Sequence, residues 1–166
     1  MEHKACAFTG HRPEKFSFGH NEEHPDCERI KQSLFCEILR LTREGVSVFW
    51  TGMARGVDIW AAETVLQLRP TLPSRKIKLY AAIPYDRQPS AWPSKEQQRY
   101  QDILSQADRI EYVNHEYRRG CLFERDRYMI DKATHLIAVF NGSKGGTQYT
   151  INYAQRKGLD ITIIEA

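Results

Sequence analysis

The chain has 166 residues, of which 41% are hydrophobic and 27% charged, and its formal net charge is +3. This size and composition predict one globular domain with a full core, covering residues 1–166. The small positive charge does not by itself indicate nucleic acid binding. No segment approaches the ~20 apolar residues needed to span a bilayer, and residues 1–8 lack the apolar stretch of a signal peptide, so we expect a cytoplasmic protein without membrane contact.

Strand-like and helix-like patterns alternate along the chain. The predicted strands are short apolar or alternating stretches, at residues 5–8, 46–50, 77–83, 108–113, 136–140 and 160–164. The predicted helices carry apolar stripes or capping signals, at residues 25–44, 57–68, 94–106 (with Ser94 as N-cap), 121–133 and 146–157. The alternating polarity of residues 108–113 indicates a strand near a sheet edge. This order predicts an α/β fold: a Rossmann-like, mostly parallel sheet with helices on both faces, in a single domain.

The cysteines and histidines do not complete a metal site. Cys6, Cys27, Cys36 and Cys121 form no C-x-x-C pair, and we expect them to be reduced and mostly buried. The spacing of His20, His24 and Cys27 could place all three on one side of a helix. Zinc usually needs four ligands, however, and no second cluster supplies the rest, so we predict no metal site.

Three predicted strands run directly into glycine-centred loops, at residues 9–13, 51–58 and 141–147. In an open α/β sheet the loops at the carboxyl ends of parallel strands line one crevice, where ligands bind. Glycine lets backbone N–H groups approach an anion closely, and a following helix N-terminus adds positive potential. The sequence therefore predicts a pocket for a phosphate-bearing ligand.

The first loop places Thr9 and Gly10 at the end of a strand, with His11 and Arg12 at the mouth of the predicted pocket. Arg12 could hold a phosphate through two hydrogen bonds, and we favour this over an exposed salt bridge. His11 could donate to a phosphate or sugar, or make a structural hydrogen bond, and the sequence does not decide between the two.

The second loop is the best predicted phosphate cradle. Its glycines leave room for a ligand or for close packing, and its other residues offer consecutive N–H groups at a helix start: Gly52, Met53, Ala54, Arg55 and Gly56. Asp58 follows in the first helical turn, where it could cap the helix or accept a ribose hydroxyl, and both interpretations stay open. Trp60 is interpreted as a core residue.

Two further segments contribute candidates. In the proline-containing loop 84–93, Pro84 and Tyr85 are interpreted as a pocket wall, while Trp92 could face a ligand ring or seal the core edge. On the helix from residue 121, Asp126 shares an arc with apolar residues and therefore needs a partner or a functional role. Arg125 could contact a ligand, with Asp126 orienting either Arg125 or Arg12. Alternatively, Arg125 and Asp126 could form a buried structural ion pair.

Four segments in order, at residues 9–13, 51–58, 82–85 and 145–150, resemble the YpsA-like family of the SLOG superfamily. Its Rossmann-like relatives include the LOG phosphoribohydrolases and the DNA-processing protein DprA. The resemblance covers residues 8–164 and implies a nucleotide-derivative pocket that includes Gly145, Gly146 and Thr147, and a homodimer. Asp126 departs from the Arg-Asn pair that is typical of the resembling family.

The sequence differs from the LOG enzymes at the position of a glutamate in their motif. Their P-G-G-x-G-T-x-x-E motif is shortened here to residues 144–147, and Thr150 takes the place of the glutamate. A hydroxyl cannot transfer protons or stabilise an oxocarbenium-like centre as a carboxylate does, which argues against that hydrolase activity.

The sequence favours binding or sensing of a nucleotide-derived ligand, such as an ADP-ribose-, NAD- or nucleoside-phosphate-like molecule, with no further cofactor implied. The alternative is hydrolysis of a nucleotide N-glycosidic bond, with Asp58 and Asp126 as candidate catalytic groups. The third hypothesis is DprA-like binding of single-stranded nucleic acid. It is disfavoured because the basic residues are scattered along the chain and offset by 21 acidic residues.

Overall fold

A computed structural model describes residues 3–166, which contain a six-stranded, wholly parallel sheet. The strands are β1 Lys4–Gly10, β2 Val46–Thr51, β3 Lys78–Ile83, β4 Arg109–Tyr112, β5 His135–Phe140 and β6 Asp160–Glu165. The helices are α1 Pro25–Arg43, α2 Val57–Leu68, α3 Ser94–Gln106, α4 Cys121–Asp131 and α5 Gly146–Arg156. The predicted α/β fold is confirmed, and each predicted element is present within a few residues of its expected ends.

The spatial order of the strands is β4-β3-β2-β1-β5-β6. The chain therefore builds outward from β1 to β4 and then returns to the other side of β1 to place β5. Ligands in open α/β sheets bind outside the carboxyl ends of the strands at such a reversal, which here lies between β1 and β5. The predicted edge position of β4 is also confirmed.

Two hydrophobic clusters cover the two faces of the sheet. The larger packs α1, α2 and α3 against the sheet and contains Trp60, which confirms its interpretation as a core residue. The smaller packs α4 and α5 against the opposite face and contains Trp50. Helices on both faces bury the central strands, which is why β1 and β5 are almost wholly apolar.

Local signals account for several helix ends. Gly45 follows the C-cap of α1 with φ +101° and Gly158 follows that of α5 with φ +78°, the left-handed conformation expected of glycine there. The predicted N-cap Ser94 is wrong. Ser94 is the first residue of α3, and the capping position belongs to Pro93, which has no side-chain hydrogen-bonding group.

The three residues that were considered as zinc ligands have separate roles. His24 caps α1 by accepting a hydrogen bond from the Asp26 N–H, Cys27 is buried in the core, and His20 contacts Arg55. In the described part of the chain, no three His, Cys, Asp or Glu side chains are grouped so that they could hold a metal ion. Cys6 and Cys121 are also buried, whereas Cys36 is exposed. Of the helices in residues 3–166, none is both long and apolar enough to cross a membrane.

Candidate functional site

A cavity of about 400 Å³ opens at the carboxyl ends of β1 and β5, where the strand order reverses. Its walls come from the loop after β1, the start of α2, one side of α4 and the first turn of α5. Many of the predicted site residues line it: Thr9, Gly10, His11, Arg12, Ala54, Asp58, Arg125, Asp126, Gly146 and Thr147. The structure thus brings together side chains that are more than a hundred positions apart in sequence. We call this the main cavity.

Three of the predicted glycines make room for protein rather than for a ligand. A Cβ on Gly10 would lie 2.5 Å from a methyl carbon of Val57, and one on Gly52 would lie 2.7 Å from the Arg125 guanidinium carbon. Gly56, at φ +90°, lies against the His11 carbonyl oxygen. Gly10 allows α2 to start close to β1, Gly52 allows a buried arginine to enter, and Gly56 lets the two loops touch.

The second loop does not form the expected row of free N–H groups. The Met53 N–H donates to Thr51 Oγ1 at 3.2 Å, and the Ala54 N–H donates to Asp58 Oδ2 at 3.3 Å. Met53 is itself fully buried with φ 59°. Asp58 therefore closes its own loop instead of capping α2, whose N-cap is Gly56 without a side-chain hydrogen bond. Of this loop, Ala54 and Asp58 line the main cavity.

Arg125 is a buried charged residue whose side chain contacts several parts of the site. Only 4% of its side chain is exposed, and its Nε donates to Asp126 Oδ1 at 2.7 Å. Its Nη1 donates to the Gly52 carbonyl oxygen and lies 3.4 Å from Gln88 Oε1. Burial opposes the charge, but the carboxylates of Asp126 and Asp58 more than offset this and raise the pKa of Arg125. The contact between Arg125 and Asp126 fits both roles considered for this pair, a structural ion pair and an arginine oriented toward a ligand.

Asp58 is a buried carboxyl group with an unusual ionisation. Burial raises its pKa to about 6, and the negative charge of Asp126 adds to this, while Arg125 and the Ala54 N–H counteract part of it. Near neutral pH the group is therefore close to its own titration, which is the range useful for proton transfer.

Asp126 lies beside the position where the LOG resemblance expects a glutamate. Thr150 Oγ1 is 3.2 Å from Asp126 Oδ2 and 3.0 Å from the Gly146 carbonyl oxygen, and Thr150 is buried. A carboxylate is thus present next to the start of α5, but α4 supplies it. Sequence comparison along α5 could not show this, because the two residues meet only after α4 and α5 pack together.

His11 makes structural hydrogen bonds. Its Nε2 accepts from the Asn141 N–H at 3.1 Å, so the other ring nitrogen carries the proton, and Thr147 Oγ1 lies 3.5 Å from it. Burial and the positive charge of Lys15 lower the pKa of His11, which keeps the ring neutral at pH 7. His11 therefore ties the loop after β1 to the loop after β5.

Arg12 and Lys15 provide positive charge at the mouth of the main cavity. Arg12 is exposed and has no ion-pair partner in residues 3–166, so the salt bridge considered as its alternative role is not formed there. Lys15 was not identified from the sequence. Its Nζ lies 3.5 Å from the Lys144 carbonyl oxygen, beside the first turn of α5. Lys15 belongs to a short helical turn in a loop whose apolar residues follow neither a helix nor a strand period. The sequence pattern therefore did not indicate that Lys15 would line the site.

A second cavity, also of about 400 Å³, adjoins the first and shares Arg12, Glu14, Ala54 and Leu122 with it. We call it the side groove. Its other lining residues are Arg55, Tyr85, Gln88, Trp92 and Tyr117. The side groove thus contains the two predicted aromatic candidates and Tyr117, which the sequence analysis did not single out. Pro84, Gly52, Met53, Gly56 and Gly145 line neither cavity.

Known proteins with similar sequences cover nearly the same region. A UPF0398 protein of Bacillus cereus strain B4264 is 29% identical over 158 residues, which make up 93% of this chain and 84% of that protein. A UPF0398 protein of Bacillus thuringiensis strain Al Hakam is 28% identical with the same coverage.

Two solved structures share the fold. DNA processing protein A (DprA) from Helicobacter pylori, described for its single-stranded DNA binding mode, superposes with a TM-score of 0.66 at 21% identity. DprA from Streptococcus pneumoniae gives a TM-score of 0.66 at 17% identity. This chain is covered to 96% and 99%, but it spans only 64% and 51% of those two chains. The sequence profile of the YspA SLOG family matches residues 6–165, and the chain belongs to that family.

Proposed function

We propose that the protein binds a nucleotide-derived ligand whose phosphate lies in the main cavity against the first turn of α5. The observation that carries this proposal is the grouping of Gly146, Thr147, Arg12 and Lys15 around one cavity at the strand reversal. The first N–H groups of a helix have no partner within it, and the helix dipole favours an anion there. Arg12 and Lys15 supply the opposite charge at the mouth, which also contains the Glu14 carboxylate.

The ligand class is a nucleoside phosphate, an ADP-ribose-like or an NAD-like molecule. The cavity volume of about 400 Å³ is within the usual range for small-molecule pockets. Asp58 lines the same cavity, and in this proposal its carboxyl group accepts a ribose hydroxyl.

A thermal-shift screen tests this proposal. AMP, ADP-ribose, NAD, cyclic nucleotides and cytokinin-type nucleotides are added to the protein, and a ligand at 100 times its Kd stabilises the folded state by about 2.7 kcal/mol. We expect the shift to be lost in Arg12→Ala and Gly146→Asp, and kept in Arg87→Ala, an exposed arginine outside both cavities. No shift with any compound, or a shift that survives both cavity variants, contradicts the proposal.

A second candidate function is hydrolysis of a nucleotide N-glycosidic bond. It is favoured by the presence of Asp58 and Asp126 in the same cavity, with the pKa of Asp58 raised to about 6 by burial. Water would add to the sugar carbon as the base leaves with a proton. Release of ribose 5-phosphate and free base that stops in Asp58→Asn or Asp126→Asn, but not in the exposed variant Asp26→Asn, supports it. Intact nucleotides after prolonged incubation exclude it for those substrates.

A third candidate, binding of single-stranded nucleic acid, is favoured by a groove at the opposite end of the sheet. It has a volume of about 600 Å³, and its lining includes Tyr80 and the largely buried Trp50. Basic residues surround it: Arg75, Lys76, Lys78, Arg109 and Lys132. None of the described residues that line it is acidic, so basic residues that are scattered along the chain come together on this face. One of them, Arg109, is paired with Glu111. The likeness to DprA shows the fold alone.

A titration of oligo-dT at several salt concentrations tests this candidate. Phosphate contacts make affinity fall steeply with salt. We expect binding to be reduced in the double variant Lys76→Glu/Lys78→Glu and kept in Lys95→Glu, which lies outside this groove. Binding that is absent or insensitive to salt excludes the nucleic acid function.

A further inference from the structure

The side groove is lined by three aromatic side chains from two separate loops. Tyr85 and Trp92 follow β3, and Tyr117 precedes α4. The Tyr85 and Tyr117 rings meet edge to face, with centroids 5.3 Å apart and an angle of 84°. Trp92 is fixed in the same way by Tyr100 behind it, at 5.4 Å and 85°. The groove therefore offers aromatic surfaces that are already oriented by their neighbours.

Arg55 supplies a hydrogen-bond donor that the protein itself leaves unused. Its guanidinium lies 5.9 Å from the centre of the Trp92 ring, and its Nη2 contacts His20 at 3.1 Å. Its Nε is buried and has no hydrogen-bond partner among the described residues. A buried N–H without an acceptor is costly, and native proteins rarely contain one without a reason. Arg55 lines the side groove, so an acceptor atom of a ligand that meets Nε when the side chain turns toward the groove would remove that cost.

The two cavities meet at Arg12, Glu14, Ala54 and Leu122. The Glu14 carboxylate there contacts His20 and Arg55. Ala54 and Arg12 line both cavities, and Arg12 has no ion-pair partner in residues 3–166. A ligand whose phosphate lies in the main cavity can therefore extend past Ala54 into the side groove. Aromatic walls and an unused N–H suit a planar ring with acceptor nitrogen or oxygen atoms.

We propose that the side groove is the base-binding part of the site: a nucleobase stacks among Tyr85, Trp92 and Tyr117 and accepts a hydrogen bond from Arg55 Nε. This inference rests on the proposed function and makes it narrower. The ligand is then a nucleoside 5′-phosphate or a larger molecule that contains one, and sugar phosphates without a base bind weakly.

Calorimetric titrations with ribose 5-phosphate and with AMP, GMP, CMP and UMP test this inference. We expect the tightest nucleotide to bind at least tenfold more tightly than ribose 5-phosphate. Tyr117 is 66% exposed, so Tyr117→Ala leaves the core intact. That variant weakens nucleotide binding about 5- to 150-fold, the range of base stacking on an aromatic residue, and changes ribose 5-phosphate binding less than about twofold. Tyr112→Ala, an exposed tyrosine outside both cavities, leaves both affinities unchanged.

Two further measurements examine the individual contacts. Trp50 and Trp60 are buried, so quenching of tryptophan fluorescence by the nucleotide should be lost in Trp92→Phe. Arg55→Lys keeps the charge but removes the Nε donor, and we expect nucleotide affinity to fall while ribose 5-phosphate affinity is kept.

The outcomes separate the two proposals. Equal affinity for ribose 5-phosphate and all four nucleotides, or unchanged nucleotide affinity in Tyr117→Ala, overturns the base-binding role and leaves the phosphate site in place. Failure of every compound to bind, with ADP-ribose included, overturns the proposed function and the base-binding role together.

Discussion

Among single residues, Asp58 shows most clearly how the fold perturbs a functional group. Only 7% of the residue is exposed, and burial raises the pKa of its carboxyl group from 3.8 to about 6. The folded state therefore holds the proton more tightly than the unfolded chain does. The stability that Asp58 contributes is full below about pH 4 and is lost as the pH rises to about 6.

We expect Asp58→Asn to be more stable than the parent protein at pH 7.5, by about 1–3 kcal/mol. Asparagine can still accept the Ala54 N–H and carries no buried charge. Urea unfolding at pH 4.5 and pH 7.5 measures this, and the gain should shrink at the lower pH. Asp26→Asn, at an exposed position, is the control. A loss of stability at pH 7.5 would mean that Arg125 compensates the Asp58 charge fully.

The glycines of the site differ in whether a Cβ atom would fit. A Cβ on Gly10 would collide with Val57, whereas one on Gly146 would have its nearest neighbour at 3.9 Å, on Phe123. We expect Gly10→Ala to lower the free energy of unfolding by about 1–3 kcal/mol and Gly146→Ala to change it by less than about 0.5 kcal/mol. Urea denaturation of the matched pair checks this. Equal effects would show that α2 shifts to accommodate the methyl group at Gly10.

Between elements, a network of ions joins the segment before α1 to α2 and α3. Arg99 on α3 donates to Glu22 at 2.6 Å and also pairs with Glu63 on α2, while Lys31 contacts Glu22 at 2.7 Å. Burial alone would raise the pKa of Glu22. The hydrogen bonds and charges of Arg99 and Lys31 reverse this and hold the pKa at about 2. The network thereby fixes the long connection that leads away from the main cavity.

We expect Glu22→Gln to reduce stability by about 1–2 kcal/mol at pH 7. Because the folded pKa of Glu22 is below its usual value, its contribution is present above about pH 4.5 and is lost as the pH falls towards 2. The difference between variant and parent should therefore shrink in unfolding experiments at pH 3. Glu23→Gln, exposed and adjacent, should differ little from the parent at either pH. A difference that does not depend on pH would indicate a packing effect instead.

In the molecule as a whole, the two hydrophobic clusters lie on opposite faces of the same sheet. Trp50 lies in the cluster under α4 and α5, and Trp60 lies in the cluster under α1, α2 and α3. Strands β1, β2 and β5 contribute to both clusters, so neither face can lose its packing while the other stays intact. Such a molecule should unfold in a single cooperative transition.

Two variants that each keep one of these tryptophans test this cooperativity. In Trp60→Phe/Trp92→Phe the fluorescence reports on the α4 and α5 face, and in Trp50→Phe/Trp92→Phe on the opposite face. We expect the fluorescence midpoint in urea to coincide with the far-ultraviolet circular dichroism midpoint within each variant. A fluorescence transition that precedes the loss of secondary structure in one variant would show that this face unfolds by itself.

The amino-acid sequence by itself determined the elements and their order. Apolar stripes and alternation record which side of each element faces the core, and this pattern is local, so it can be read without the fold. Because the carboxyl ends of parallel strands share one edge, it also predicted that the loops at residues 9–13, 51–58 and 141–147 line one crevice. Residues from each of these three loops line the main cavity.

Only the tertiary structure decided which groups of the site contact one another. The Met53 and Ala54 N–H groups are used by Thr51 and Asp58, which depends on a backbone turn that periodicity does not encode. Asp126 meets Thr150 only because α4 packs on α5.

The side groove and the basic groove likewise bring together residues from distant parts of the chain. A pattern along one element reports exposure to the core, but contacts between elements depend on the side-chain packing of the whole fold. For that reason the sequence could predict where the candidate site lies. The hydrogen-bond partners and the charge states of its side chains could be described only from the structure.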